Sequence, residues 1–127
     1  PQYARPPPNG VVPIVHAITH VYKELYQLGK KLPKQDRYGM HRCITEVCLK
    51  SLKLAIEAAL SVKQEKAPIL KKLRVEIGVL KQLVRLLYEL NRIPQKAYFG
   101  LEQQLCEISK MAGGWSKYAD MHKTKGA

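Results

Sequence analysis

Apolar residues recur at three- and four-residue intervals in four successive stretches of the chain, the spacing that lines one face of a helix. Val15, Ile18, Val21, Leu25 and Leu28 predict a first helix from about Pro13 to Lys30, ended by Gly29 and Pro33. A second is expected to start near Lys34–Tyr38 and run to about Val62, with Met40, Ile44, Val47, Leu54 and Ala58 turned inward. Cys48, Leu52, Ala55, Ile56 and Ala59 widen its apolar face, which suggests contact on two sides. A third begins near Ala67, where Pro68 suits a first turn, and ends before Pro94 with Asn91 as its C-terminal residue. Its seam of Leu70, Leu73, Ile77, Leu80, Val84 and Leu87 keeps heptad spacing. A fourth opens at Pro94 and runs to about Met111, carrying Tyr98, Leu101, Leu105, Ile108, Ala112 and Trp115; Gly113-Gly114 is expected to break or loosen it. No segment alternates as a strand does. Four helices with short connections predict an all-α, antiparallel up-down-up-down four-helix bundle over residues 14–118. Residues 1–13 hold five prolines and read as a proline-rich flexible arm, and 119–127 as a mobile basic tail.

The third helix carries a further pattern. With Ile69, Val75, Val79, Leu83, Leu86 and Leu90 added to the seam, nearly its whole circumference is apolar and is expected to be buried. At 100° per residue, Lys71, Arg74, Lys81 and Arg85 fall in one narrow sector with Gly78, and Arg92 extends it if the helix continues. These five cations span about 30 Å at 1.5 Å rise per residue. Such an array can meet successive phosphates and release counterions. The rest of the chain supports that reading, since 22 Lys and Arg face 10 Asp and Glu, a net charge of +12 that favours polyanions. Lys30, Lys31, Lys34 and Arg37 crowd the first loop and are a second candidate set, in a mixed structural and phosphate-binding role. Asp36 among them is expected to pair with Arg37 or to cap the second helix.

Other chemistries find little support in the residues. No apolar run approaches the roughly 18 residues of a membrane span, and the proline-rich start is not a signal peptide. Cys43, Cys48 and Cys106 have no paired spacing and read as buried, reduced thiols of a cytoplasmic protein. His16 and His20 stand four apart but lack a third ligand, so no metal or other cofactor is expected. Glu76, set among apolar residues, is expected to pair with Lys72, Arg42 or Lys50 rather than to act as a lone catalytic carboxylate. Tyr22, Tyr26, Tyr38, Tyr88 and Tyr98 read mainly as core packing, and Trp115 as an anchor at the bundle end. No phosphate loop, nucleophile elbow or dinucleotide fingerprint is present, and the chain is not expected to be an enzyme.

The loop Leu32-Pro33-Lys34-Gln35-Asp36-Arg37-Tyr38-Gly39-Met40 resembles the Pro-Lys-x-acid-Arg-aromatic segment of two related four-helix-bundle families. One is the accessory variability determinant (Avd) family of diversity-generating retroelements; the other is encoded in intervening sequences of bacterial 23S ribosomal RNA. The Ser-Ile-x-x-Asn-Ile-Ala-Glu-Gly-like run of the ribosomal family is absent, because Ile44–Leu52 reads differently. The Lys81/Arg85 pair in a leucine-rich helix and the ending Gly113-Gly114-Trp115 are similar to the accessory family. The resemblance covers about residues 14–118. It implies a homopentameric barrel that binds a reverse transcriptase and nucleic acid, as template RNA and complementary DNA, and supports mutagenic reverse transcription and retrohoming without being an enzyme. It implies Lys81 and Arg85 as positions on the functional basic surface. The alternative is a structural or interaction bundle of the ribosomal type, with no direct nucleic-acid role.

Overall fold

A computed structural model describes the backbone of residues 6–126 and the side chains of residues 13–120. It contains α1 (Pro6–Gly29), the short α2 (Lys34–Tyr38), α3 (Met40–Leu60), α4 (Lys63–Glu89) and α5 (Gln95–Gly126). The four long helices form a bundle in which each packs on the next in sequence and α5 closes against α1. Contacts between ends fix the directions. His41, early in α3, reaches Leu25 late in α1. Lys66, early in α4, donates from Nζ to the carbonyl of Ala58 late in α3, and sits over the Trp115 ring late in α5. Successive helices are therefore antiparallel.

The core follows the four apolar seams. All six residues of the α4 seam are buried, as are Ile18, Val21 and Leu25 of α1 and Leu101, Leu105, Ile108 and Ala112 of α5. Ile44, Leu54 and Ala58 are buried on α3, whereas Met40 and Val47 pack only partly against the core. Trp115 packs partly against the core near the α4 start.

The helix boundaries differ from the local signals in four places. First, α1 starts at Pro6, inside the stretch expected to be a loose arm, and Pro13 is interior to it. Pro6, Pro7 and Pro8 fall in its first turn, where a missing N–H has no carbonyl to meet. Residues 1–5 of the expected arm lie outside the described residues. Second, the expected second helix is divided at Gly39, with φ −106° and ψ −101°. A Cβ there would stand 2.9 Å from the Gln35 carbonyl oxygen, so the break needs glycine. Third, α4 begins at Lys63, four residues before Ala67, and Pro68 is interior. Fourth, Gly113-Gly114 does not break α5, which continues as backbone helix to Gly126 through the segment expected as a tail. Buried Ala112, Ser116 and Ala119 continue the α5 seam past the glycines, and tertiary packing overrides the low helix propensity.

Candidate nucleic-acid interface on α4

The circumference of α4 is divided three ways. The seam takes the side facing the bundle. The sector of Lys71, Arg74, Gly78, Lys81 and Arg85 borders α5, and Lys71, Arg74 and Lys81 line a groove of about 390 Å³ with Gly78, Ser109 and Val75, the last standing where this sector meets the next. A third sector is apolar and uncovered: Val75 is 56% exposed, Val79 40%, Leu86 42% and Leu90 51%. The expectation that α4 buries nearly all its circumference is thus not met within one chain, because a bundle of four helices covers only one side of each. On the α3 side, Glu76 meets Lys50, with Nζ to Oε2 at 3.3 Å, so of its three weighed partners Lys50 is the one engaged.

Of the five stripe cations, Lys71, Arg74 and Lys81 come together in the groove, and none makes an ion pair among the described residues. Arg85 stays in the sector one turn beyond Lys81 but pairs with Glu89, Nε to Oε2 at 3.1 Å. Both partners are more than half exposed, a setting in which such pairs hold weakly and leave the guanidinium available.

Arg92 does not extend the stripe. Asn91 adopts φ 62°, a left-handed conformation that asparagine tolerates better than most residues. Arg92 N–H then bonds the Leu87 carbonyl at 3.0 Å and Asn91 N–H bonds the Tyr88 carbonyl at 2.8 Å, the paired bonds of a Schellman ending. The chain leaves the helix axis before Arg92, whose Nε lies 3.1 Å from Asp36 Oδ2. Asp36 therefore neither pairs with Arg37 nor caps α2; it ties α2 to the turn after α4.

That bridge anchors the basic loop, in which Lys30, Lys31, Lys34 and Arg37 are all exposed. Lys30 lies over the Tyr26 ring, and Lys31 lines a separate α1–α5 groove with His20 and Lys23. The loop set and the α4 groove are two surfaces.

Two cations on α5, Lys110 and Lys117, face the same α4–α5 groove through a lobe that includes Arg74. The sequence pattern concealed Lys117, because the local signals end the fourth helix near Met111. A signal was present: Lys110 and Lys117 are seven apart, two helical turns, so one uninterrupted helix brings them to one side.

Two titrating groups depart from ordinary behaviour, and neither is in the groove. Burial pushes the Cys48 thiol up to about 12. Burial also lowers Lys66, although its amine bonds a carbonyl and faces an aromatic ring. Cys43 is exposed and Cys106 half-buried, so only Cys48 fits the expected buried thiol. Tyr26 and Tyr38 are likewise exposed, whereas Tyr88 and Tyr98 stack with centroids 4.4 Å apart. His20 Nδ1 contacts Gln104 Oε1 at 2.8 Å, and Gln104 also bonds Glu24.

The model of the bAvd-like family, the bacterial accessory variability determinants, matches residues 13–119. The chain belongs to this family. The match runs from the start of the described side chains on α1 to the last buried residue described on α5, so it spans most of all four long helices and includes the cations of both walls of the groove. No curated protein matches the chain in sequence. The bAvd-like family is an accessory, non-catalytic one, and membership associates the chain with diversity-generating retroelements and, in general, with their reverse transcriptases. Among the described residues, no helix is long and apolar enough to cross a membrane.

Proposed function

We propose that this bAvd-like chain is a non-enzymatic accessory that binds a retroelement reverse transcriptase and holds nucleic acid on the cationic face of α4, supporting mutagenic reverse transcription and retrohoming in the cytoplasm. The observation that carries the reading is the set Lys71, Arg74 and Lys81, three cations without ion pairs among the described residues, on one groove of an accessory-family bundle. Lys30, Lys31, Lys34 and Arg37 form an auxiliary exposed set. Contacts of this kind grip phosphates and position a strand without reading its bases.

Self-association completes the proposal. Val75, Val79, Leu86 and Leu90 form an uncovered apolar stripe beside the cations, and a second copy of the chain covers it in a homopentameric barrel of the kind the family resemblance implies. Repetition of the basic face around such a ring lets weak phosphate contacts act together.

The test is RNA binding by the full chain across a salt series, with Lys81→Glu/Arg85→Glu beside the parent. The expected result is affinity that falls steeply with salt in the parent, and at least tenfold weaker binding by the variant at unchanged helicity and oligomer size. Salt-independent binding overturns the reading. Normal polymerase-complex formation with no RNA binding by either protein favours the structural-bundle alternative. Val79→Glu/Leu86→Glu is expected to reduce the oligomer in light scattering while keeping the helical spectrum.

A further inference from the structure

We infer that the α4–α5 groove is a track for the backbone of single-stranded nucleic acid, with Lys110 and Lys117 of α5 as its second wall. The inference deepens the nucleic-acid reading above and rests on it.

Three observations converge. Cations enter the groove from both helices: Lys71, Arg74 and Lys81 from α4, and Lys110 and Lys117 from α5. Asp120 is the one acid among the described lining side chains. Lys71, Arg74, Lys81 and Lys117 have no ion pair among the described residues, and Lys110 has only a loose contact to Glu107 at 3.9 Å. Charges so arranged find no close ion-pair partner among the described residues.

The second observation is the floor. Gly78 and Gly113-Gly114 line the groove, and a Cβ added at any of the three would meet nothing within 4 Å. Packing inside the bundle therefore does not require glycine at these positions. Glycine is among the least favourable residues in a helix interior. What its missing side chain provides here is depth between two rows of cations.

The third is the fit of the occupant. A second copy of this chain carries net charge +12 and would meet the groove with like charge. A polyanion is complementary. Two helices in packing contact leave a furrow along their junction, which a flexible single strand follows more closely than a stiff duplex. No aromatic side chain among the described residues lines these lobes, so a bound strand is gripped by its phosphates and not stacked by its bases.

The test uses the full chain, a labelled single-stranded RNA without secondary structure, and the same sequence annealed to its complement. Lys110→Gln/Lys117→Gln is expected to weaken single-strand binding about tenfold at moderate salt. It should also flatten the logarithmic salt slope by about 1.4, since each of the two phosphates no longer neutralised accounts for about 0.7. Duplex binding should change less than twofold. Gly78→Leu keeps every cation but fills the floor, and is expected to weaken single-strand binding without lowering the melting temperature. The inference is overturned if the lysine pair leaves single-strand affinity and slope unchanged while Lys81→Glu/Arg85→Glu abolishes binding, a result the broader reading survives. It is overturned as well if the parent binds duplex as tightly as single strand, or if Gly78→Leu changes the oligomer size, which would mark the groove as a protein contact. Binding untouched by Lys81→Glu/Arg85→Glu fails the broader reading itself.

Discussion

Gly29→Ala should destabilise the bundle, and the cause is visible atom by atom. A Cβ at Gly29 would lie 2.3 Å from His41 Cε1, 2.6 Å from Nε2 and 2.9 Å from Nδ1. No glycine among the described residues has a positive φ, so room and not backbone freedom is what this position needs. The ring has little freedom to move. His41 is 9% exposed, and its Nε2 is 2.5 Å from the Leu25 carbonyl oxygen. A carbonyl only accepts, so Nε2 carries the proton and donates. Displacing the ring forfeits a buried hydrogen bond, about 1–3 kcal/mol, and adds overpacking of about 1–3 kcal/mol. The helix-propensity gain of alanine offsets at most about 1 kcal/mol, less at the last helical residue. The expected net loss is about 2–4 kcal/mol, read from equilibrium urea unfolding at constant m-value. His41→Ala alone should cost about 1–3 kcal/mol for the lost hydrogen bond and the void. In the double variant the methyl group introduced on α1 enters the space the ring has left, so the combined loss should fall short of the sum by more than about 1 kcal/mol. Additivity within about 0.5 kcal/mol, or a Gly29→Ala variant as stable as the parent, would refute the clash.

Three further outcomes follow from the same structure. Gly78→Ala should have the opposite sign to Gly29→Ala, raising stability by up to about 1 kcal/mol in the same urea assay, because its Cβ meets nothing; a loss would reveal a contact that the single chain does not contain. Arg92→Ala removes the bridge to Asp36, whose side chain is only 17% exposed, and should cost about 1 kcal/mol of stability with less than a twofold change in RNA affinity; a tenfold affinity loss would return Arg92 to the binding face. Cys48 should resist thiol reagents in the folded protein at neutral pH while Cys43 reacts, and its raised pKa sets the sign of an alkaline effect. The fold holds the proton that the unfolded chain releases above about pH 9, so this stabilisation is full below pH 9 and declines by about 1.4 kcal/mol per pH unit towards pH 12. Denaturant midpoints of Cys48→Ala should lack that part of the decline.

The sequence pattern reported the core well because a buried seam on a straight helix obeys one arithmetic along its length. Leu70 through Leu87 repeat at heptad spacing, and all six seam residues are buried. The same arithmetic failed at Arg92, because one φ of 62° at Asn91 redirects the chain and no periodicity records it. The partner that Arg92 meets, Asp36, lies on another element and belongs to tertiary structure. Gly113-Gly114 misled in the other direction. Local propensity argued for a break, but Ala112 and Ala119 are both buried two turns apart, and their packing carries the helix through. That error also hid Lys117, so a misplaced helix end removed one wall of the candidate groove. Cys43 and Cys48 show a milder limit: composition treats them alike, yet five residues turn them about 140° apart, one outward and one into the core.

The three sectors of α4 also constrain each other in the proposed assembly. The apolar stripe of Val75, Val79, Leu86 and Leu90 adjoins the cationic sector, so a protomer docked on the first lies close to the second. Placing one positive chain beside another opposes assembly, and the opposition grows as salt is lowered. A bound polyanion removes that repulsion at the place where it is strongest. Nucleic acid binding and self-association on α4 are therefore thermodynamically linked: each should strengthen the other, by the same factor. Adding single-stranded RNA to dilute protein at low salt should shift the population towards the larger species. The Lys81→Glu/Arg85→Glu variant should lose that shift and, carrying less positive charge beside the stripe, assemble at least as well as the parent without RNA. An RNA-driven increase in size that persists in this variant would place the coupling on another surface.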